Sequence, residues 1–248
     1  MPTKLSVNVN KVATLRNTRD GGVPSVVRCA RIALDAGADG ITVHPRPDRR
    51  HIRPGDVADI ASLMRDYPRA ELNIEGNPFH GLLEHVDAHR PAQCTLVPDA
   101  EAQSTSDHGW DLAKDGERLR PILARLRSIG VRTSLFMDAD PTLVEGARNV
   151  GADRVELYTE PYAVAFARGD AERALPAFAA SARALAAQGL GVNAGHDLSL
   201  SNLRPFLEAV PGVLEVSIGH ALVADALEFG LAETVRRYLV LVRDPGLP

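Results

Sequence analysis

Short strand-like runs alternate with stretches whose apolar residues recur at helical spacing, from one end of the chain to the other. The runs at 5–9, 41–44, 71–75, 93–97, 132–137, 154–158, 191–194 and 215–218 read as strands. Helices are expected over 23–36, from Pro54 onward, and over 78–88, 116–129, 141–150, 170–188, 200–209 and 222–242. In the first of these, Val26, Val27, Ala30, Ala33 and Leu34 form the apolar set, and Gly37 stops it. In the helix opened by Pro54, Val57, Ile60, Ala61 and Met64 mark the buried face. AGADGITV, VGADRVEL and QGLGVNAG each place a glycine at a helix stop just before a strand.

Strands that alternate with helices call for a parallel sheet. Eight such units in this length fit a closed (β/α)8 TIM barrel better than an open doubly wound sheet. No composition shift or linker divides the chain, so one domain over 1–248 is expected. Aromatic residues make up only 4%, which suggests a barrel interior filled by Val, Ile, Leu and Ala.

Composition narrows the class. With 45% hydrophobic and 24% charged residues, the chain is globular with a sizeable core. A net charge of −4 and the lack of a basic tract argue against a nucleic-acid partner. RPDRRHIR is basic but short, and Asp48 and prolines interrupt it. No apolar segment reaches the ~20 residues of a membrane span, and the Ala-rich stretch 174–187 reads as an amphipathic surface helix. MPTKLSVNVN shows no secretory pattern, and Cys29 and Cys94 lack ligand-like spacing. A cytoplasmic protein with reduced thiols is therefore expected.

Candidate chemistry collects where the strands end, the face of a barrel that carries function. Asn8, Asn10 and Lys11 follow strand one, His44 and Arg46 strand two, and Glu75 closes strand three. Pro98, Asp99 and later Thr105 follow strand four. Asp138 and Asp140 follow strand five and are read as helix caps. Glu156 lies on strand six, His196 ends strand seven, and Gly219–His220 ends strand eight. Each has a bland reading alone, as a satisfied core histidine or a salt-bridged carboxylate. Several histidines and glutamates on one rim are costly to bury without a ligand. Zinc or manganese is the rival reading, but strand one has no HxH pair and strand four offers no lysine to carbamylate. The helix start after Gly219 can hold an anion through its backbone N–H groups. Arg19, Arg46 and His51 add charge, so two phosphate groups are expected. Arg16, Arg49 and Arg50 are left as solvated or structural.

VNVNKVATLRNTR, DGITVHPRPDRRHI, LNIEGN, LFMDAD, VNAGH and the closing IGHA, in that order, resemble the pyridoxine 5'-phosphate synthase family of deoxyxylulose-dependent vitamin B6 synthesis. The pairing of ATLRN with GITVH-x-R-x-DRRHI is the specific part. The resemblance implies a TIM barrel with extra helices, assembled from dimers into a homooctamer. It implies condensation of 1-deoxy-D-xylulose 5-phosphate with 3-amino-2-oxopropyl phosphate, with no metal or organic cofactor. It makes His44 and Glu75 proton acceptors, His196 the proton donor and Glu156 a transition-state stabiliser. Asn8, Arg19, Gly219 and His220 would meet the aminoketone phosphate; Arg46, His51 and Thr105 would meet the deoxyxylulose phosphate. Many members carry Asp-His where this chain has Asn10–Lys11, a change that keeps a polar group and a cation for the sugar phosphate. The residue after His196 is often glycine and here is Asp197, where a backbone N–H contact to substrate can persist. The polar loop 99–110 is expected to close over the site. A metal-dependent sugar-phosphate isomerase or aldolase, and a non-catalytic phosphate sensor, are the alternatives.

Overall fold

The strands alternate short polar with branched apolar residues, and that alternation decides which side of the sheet meets the helices. The computed structural model describes residues 2–100, 103 and 106–243. The strands are β1 (Lys4–Asn8), β2 (Gly40–Val43), β3 (Glu71–Gly76), β4 (Gln93–Leu96), β5 (Arg132–Met137), β6 (Arg154–Tyr158), β7 (Gly191–Gly195) and β8 (Val213–Ile218). Each pairs in parallel with the next, and β8 closes on β1. Around this closed barrel lie α1 (Asn10–Asn17), α2 (Val26–Asp35), α3 (Pro54–Leu63), α4 (Leu82–His89), α5 (Leu112–Ser128) and α6 (Val144–Val150). They are followed by α7 (Glu160–Ala167), α8 (Ala171–Ala187), α9 (Leu203–Ala209), α10 (His220–Phe229) and α11 (Leu231–Arg243). None of the described helices is long and apolar enough to cross a membrane.

Three helices exceed one per strand, and each escapes periodicity for a separate reason. In α1 the buried positions are Val12, Ala13 and Arg16, so an arginine occupies the inner face. EPYAVAFA of α7 is apolar nearly all round and gives no period. The expected final helix is two helices, because Gly230 at φ +78 takes a backbone conformation that side chains avoid. The helix expected from 116 begins at Leu112, where the Asp111 side chain accepts from the Ala113 N–H.

The expectation of an apolar bore is overturned. Leu5, Val7, Ile41, Ile74, Leu96 and Leu135 belong to one continuous core with helix residues such as Ala30, Ile60 and Leu119. The apolar residues therefore face outward to the helices, each worth ~1.5–3 kcal/mol when fully buried. The bore takes the alternate positions. Ser6 and Thr42 hydroxyls lie 2.7 Å apart, Asn73 donates to Thr42 at 3.4 Å, and Thr95 donates to Asn73 at 3.1 Å. Small aliphatic residues are needed between the strands and helices, and polar residues that satisfy one another fill the centre.

Candidate active site

The polar bore opens at the carboxyl ends of the strands into a cavity of about 400 Å³. Asn8, Asn10 and Lys11 line it from β1 and α1, and His44, Arg46 and His51 from β2 and its loop. Glu75, Glu156, His196, Asp197, Gly219 and His220 complete the set that the sequence proposes and the structure brings together. Arg19 is exposed beyond α1 and does not line the cavity. Thr105 lies outside the described residues.

The ATLRN and DRRHI segments prove to be physical partners. Arg16 forms a double ion pair with Asp56 and donates to the His51 carbonyl at 3.1 Å. Asn17 donates to the carbonyls of Arg50 at 3.1 Å and His51 at 2.9 Å. Two side chains of α1 thus hold the loop that carries Arg46 and His51. Asn10 does the same for His44, whose backbone N–H donates to Asn10 Oδ1 at 2.9 Å. Asn8 accepts from the Asn10 N–H at 3.0 Å and donates to Glu75 Oε1 at 3.1 Å.

His44 stands between two carboxyls, with Nδ1 3.7 Å from Glu75 and Nε2 3.7 Å from Asp99. Both distances exceed a hydrogen bond. Burial, then His51 and Arg46, hold the His44 imidazole well below its usual range, so it is neutral at pH 7. Burial, then Asp99, pushes Glu75 up to about 7, against His196, Asn8 and Asn10. At neutral pH Glu75 is therefore divided between its acid and base forms. Burial, then Glu75 and Glu215, raises the Glu156 carboxyl well above its usual value, which favours its neutral form. Glu156 Oε2 has no hydrogen-bond partner among the described residues. The glycine at 195 makes this placement possible, since a Cβ there would lie 2.2 Å from Glu156 Oε1.

The two phosphate-facing regions differ in readiness. Gly219 precedes the first turn of α10, a ten-residue helix whose early N–H groups lie at the cavity wall. On the other side, Arg46 is engaged with its own protein. It donates to Asp99 at 2.7 Å and to the carbonyls of Ala100 at 2.9 Å and Gln103 at 2.8 Å. Burial, then Arg46 and Lys11, brings His51 down to about 4. Its Nδ1 accepts from the Ile52 N–H at 2.9 Å, so the neutral ring carries its proton on Nε2. Across the mouth, His196 packs edge-on to Tyr158 at 5.2 Å and near Phe136 at 6.5 Å.

Residues 5–244 match the family described as Pyridoxal phosphate biosynthesis protein PdxJ. The chain belongs to the PdxJ family. A relative from Albidiferax ferrireducens named "Pyridoxine 5'-phosphate synthase" is 59% identical over 96% of this chain and 97% of its own length. One of the same name from Xanthomonas oryzae pv. oryzae is 56% identical over 98% of each. Among solved structures, thiamine phosphate pyrophosphorylase from Pyrococcus furiosus superposes with a TM-score of 0.64 at 14% identity, covering 98% of this chain and 97% of its own. 3-Keto-L-gulonate-6-phosphate decarboxylase from Vibrio cholerae gives 0.61 at 10%, covering 96% and 99%. Those two likenesses concern the barrel fold.

Sequence reasoning named Asp99 and Arg50 of this PdxJ chain but gave neither a role in the site. Asp99 is buried between His44 and Arg46, and burial raises its carboxyl. Its place three residues beyond β4, on the functional face, was the available signal. Arg50, read as scaffold, lines the cavity while donating to Asp48 at 2.6 Å and to the Gln103 carbonyl at 2.7 Å. Among the described residues no three His, Cys, Asp or Glu side chains are grouped to hold a metal ion.

Proposed function

We propose that this cavity joins 3-amino-2-oxopropyl phosphate to 1-deoxy-D-xylulose 5-phosphate and releases pyridoxine 5'-phosphate, inorganic phosphate and water. The observation that carries the reading is membership of the PdxJ family over nearly the whole chain, with relatives of that name at 59% and 56% identity. The cavity chemistry supports it. The amine attacks the sugar ketone and water leaves, giving a Schiff base. Protons are then removed from carbon, the phosphate of the sugar leaves as inorganic phosphate, and the ring closes and loses water.

Each step moves a proton, and the groups are tuned for it. Glu75, near 7, takes a proton and returns it at neutral pH. Neutral His44 beside it is a second acceptor. Glu156, whose neutral form burial favours, donates a hydrogen bond to a developing oxyanion. His196, across the mouth from β3, protonates the leaving group. The α10 start with Asn8 receives the aminoketone phosphate, and Lys11, Arg46 and His51 receive the sugar phosphate. Holding both phosphates converts a two-molecule reaction into one within a single complex. Arg46 must exchange partners within the 99–103 loop to join a phosphate, which couples binding to that loop. Arg19 stands outside the cavity of its own chain, and an assembly of barrels in the cytoplasm remains part of this reading.

The test is turnover by the purified full-length protein, followed by the appearance of pyridoxine 5'-phosphate. Conversion without added metal is expected. A folded sample that converts neither substrate, with or without added divalent metal, overturns the reading.

A further inference from the structure

His196 and Asp197 are consecutive, and neither is glycine, yet both take left-handed backbone with φ +84 and +59. Side chains avoid this region unless the surroundings fix it. The surroundings here do so from two sides. Thr159 donates from its hydroxyl to the Gly195 carbonyl at 2.8 Å and also to the His196 carbonyl. Asn202, itself buried, donates to the Asp197 carbonyl at 3.1 Å and accepts from the Ser199 N–H at 2.7 Å. Tyr162 in turn donates to the Asn202 carbonyl at 2.7 Å. In the backbone so held, Asp197 Oδ2 lies 3.0 Å from His196 Nδ1.

We infer that Asp197 is a positioning residue for His196: its carboxylate takes the Nδ1 proton as a hydrogen bond and fixes both ring orientation and tautomer. A neutral imidazole has one donor and one acceptor nitrogen, and the partner of one sets the role of the other. With the proton held on Nδ1, Nε2 becomes the nitrogen that exchanges a proton with the substrate. The carboxylate form needed for this is favoured, because the hydrogen bond from His196 lowers the Asp197 carboxyl below its usual range. Tyr158 of β6 packs against the ring, while His220 of α10 and Lys11 of α1 stand near the carboxylate. Glu160 of α7 bonds the Tyr158 hydroxyl at 3.3 Å. This inference rests on the reaction proposed above for the role of His196, but not for the His196–Asp197 pair itself.

The experiment has two arms, so that failure of the reaction and failure of the pair are distinguishable. In the first, the full-length protein is labelled with [15N]histidine, and His196→Gln assigns the signal. The Nδ1–H tautomer is expected in the wild type, giving way to the Nε2–H form in Asp197→Ala and returning in Asp197→Glu. A tautomer that does not change in Asp197→Ala overturns the inference, whatever the protein turns over. In the second arm, Asp197→Ala is expected to lower kcat roughly tenfold, a part of the ~10²–10⁴ that a positioned general acid supplies. KM for both substrates stays within about twofold, and Asp197→Glu recovers part of kcat. A rise in KM with kcat unchanged makes Asp197 a substrate contact and overturns the inference as well.

Discussion

The barrel bore has two ends, and both are lined with buried charge. At the amino end, Glu71 meets Lys4 at 2.5 Å and is also ion-paired with Arg132. Arg132 donates on to Gln93 at 3.0 Å, Gln93 to Glu215 at 3.1 Å, and Arg154 to Asn193 at 3.1 Å. Burial works to raise Glu71, but Lys4 and Arg132 outweigh it and hold its carboxyl below the usual range. At the carboxyl end, burial works the same way on Glu75, Asp99 and Glu156, and all three are raised. The ends differ in depth as well as in company, since Glu71 is half-buried and Glu75, Asp99 and Glu156 lie deeper. Cations answer Glu71 at the floor, while Glu215 there is still raised by burial against Arg154, Arg132 and Gln93. At the mouth, Asp99 and Glu75 act on their carboxyl neighbours by repulsion. A paired carboxylate is scaffold, whereas a carboxyl raised by burial and like charge is readier to trade a proton.

The largest effect should come from removing the titrating group of the mouth. Glu75→Gln keeps an oxygen for the Asn8 donor but cannot carry a proton away. Steady-state assays should show kcat reduced by ~10²–10⁴. Stability should move the other way. The folded value of about 7 lies above the usual 4.5, so the wild type loses this group's stabilising contribution as pH rises through that window. Glutamine loses nothing. Its advantage should therefore grow from about pH 4.5 to about 7 and then level off, reaching at most ~3 kcal/mol by urea unfolding. A variant that keeps wild-type kcat, or that is the less stable protein above pH 7, breaks the contrast.

Next in size is the converse change at the floor. Arg132→Met strips Glu71 and Gln93 of a donor and leaves a carboxylate half-answered. A loss of ~2–3 kcal/mol in unfolding free energy is expected, with kcat of the folded fraction within about twofold of wild type. A large fall in kcat at unchanged stability would make the floor part of the reaction. A smaller effect is expected from Gly195→Ala. The new methyl would sit 2.2 Å from Glu156 Oε1 and must push that carboxyl aside. Overpacking costs ~1–3 kcal/mol, and kcat should fall roughly tenfold as Glu156 leaves its place. Wild-type kcat in a folded Gly195→Ala protein separates Glu156 from catalysis.

Much of this contrast was legible in the chain, and the rest was hidden for physical reasons. Strand ends could be read because parallel strands repeat one local pattern, and β5 and β6 fall where that pattern puts them. The polar bore could not be read from low aromatic content. It follows from LSV, LNIE, CT and VNAG alternating faces, and alternation alone does not say which face is inside. His44, Glu75, Glu156 and His196 stood out by residue type and place. Asp99 did not, because its role depends on lying 3.7 Å from a histidine fifty-five residues earlier in the chain. Arg46 carried the right chemistry, but its bonds to Ala100 and Gln103 are a matter of tertiary contact.

The smallest change is the sharpest, because it replaces one amide NH2 with a carboxylate oxygen. Asn10 accepts from the His44 N–H and also hydrogen-bonds Glu75, which it helps to lower. Asn10→Asp keeps the acceptor for His44, removes the donor to Glu75, and sets a second negative charge beside it. Glu75 should then titrate above its value of about 7. The acid limb of the kcat profile should move up by ~0.5–1 pH unit, while plateau kcat stays within about twofold. Turnover at pH below 7 falls and turnover well above it is preserved. The matched change at the floor is Asn193→Asp, which turns the amide that donates to Glu215 at 3.4 Å into a carboxylate. It should lower stability and leave the limb where it is. If Asn10→Asp leaves the limb unmoved, Glu75 is not the group that sets it. If Asn193→Asp moves the limb, the two ends of the bore titrate as one network and the division between floor and mouth fails.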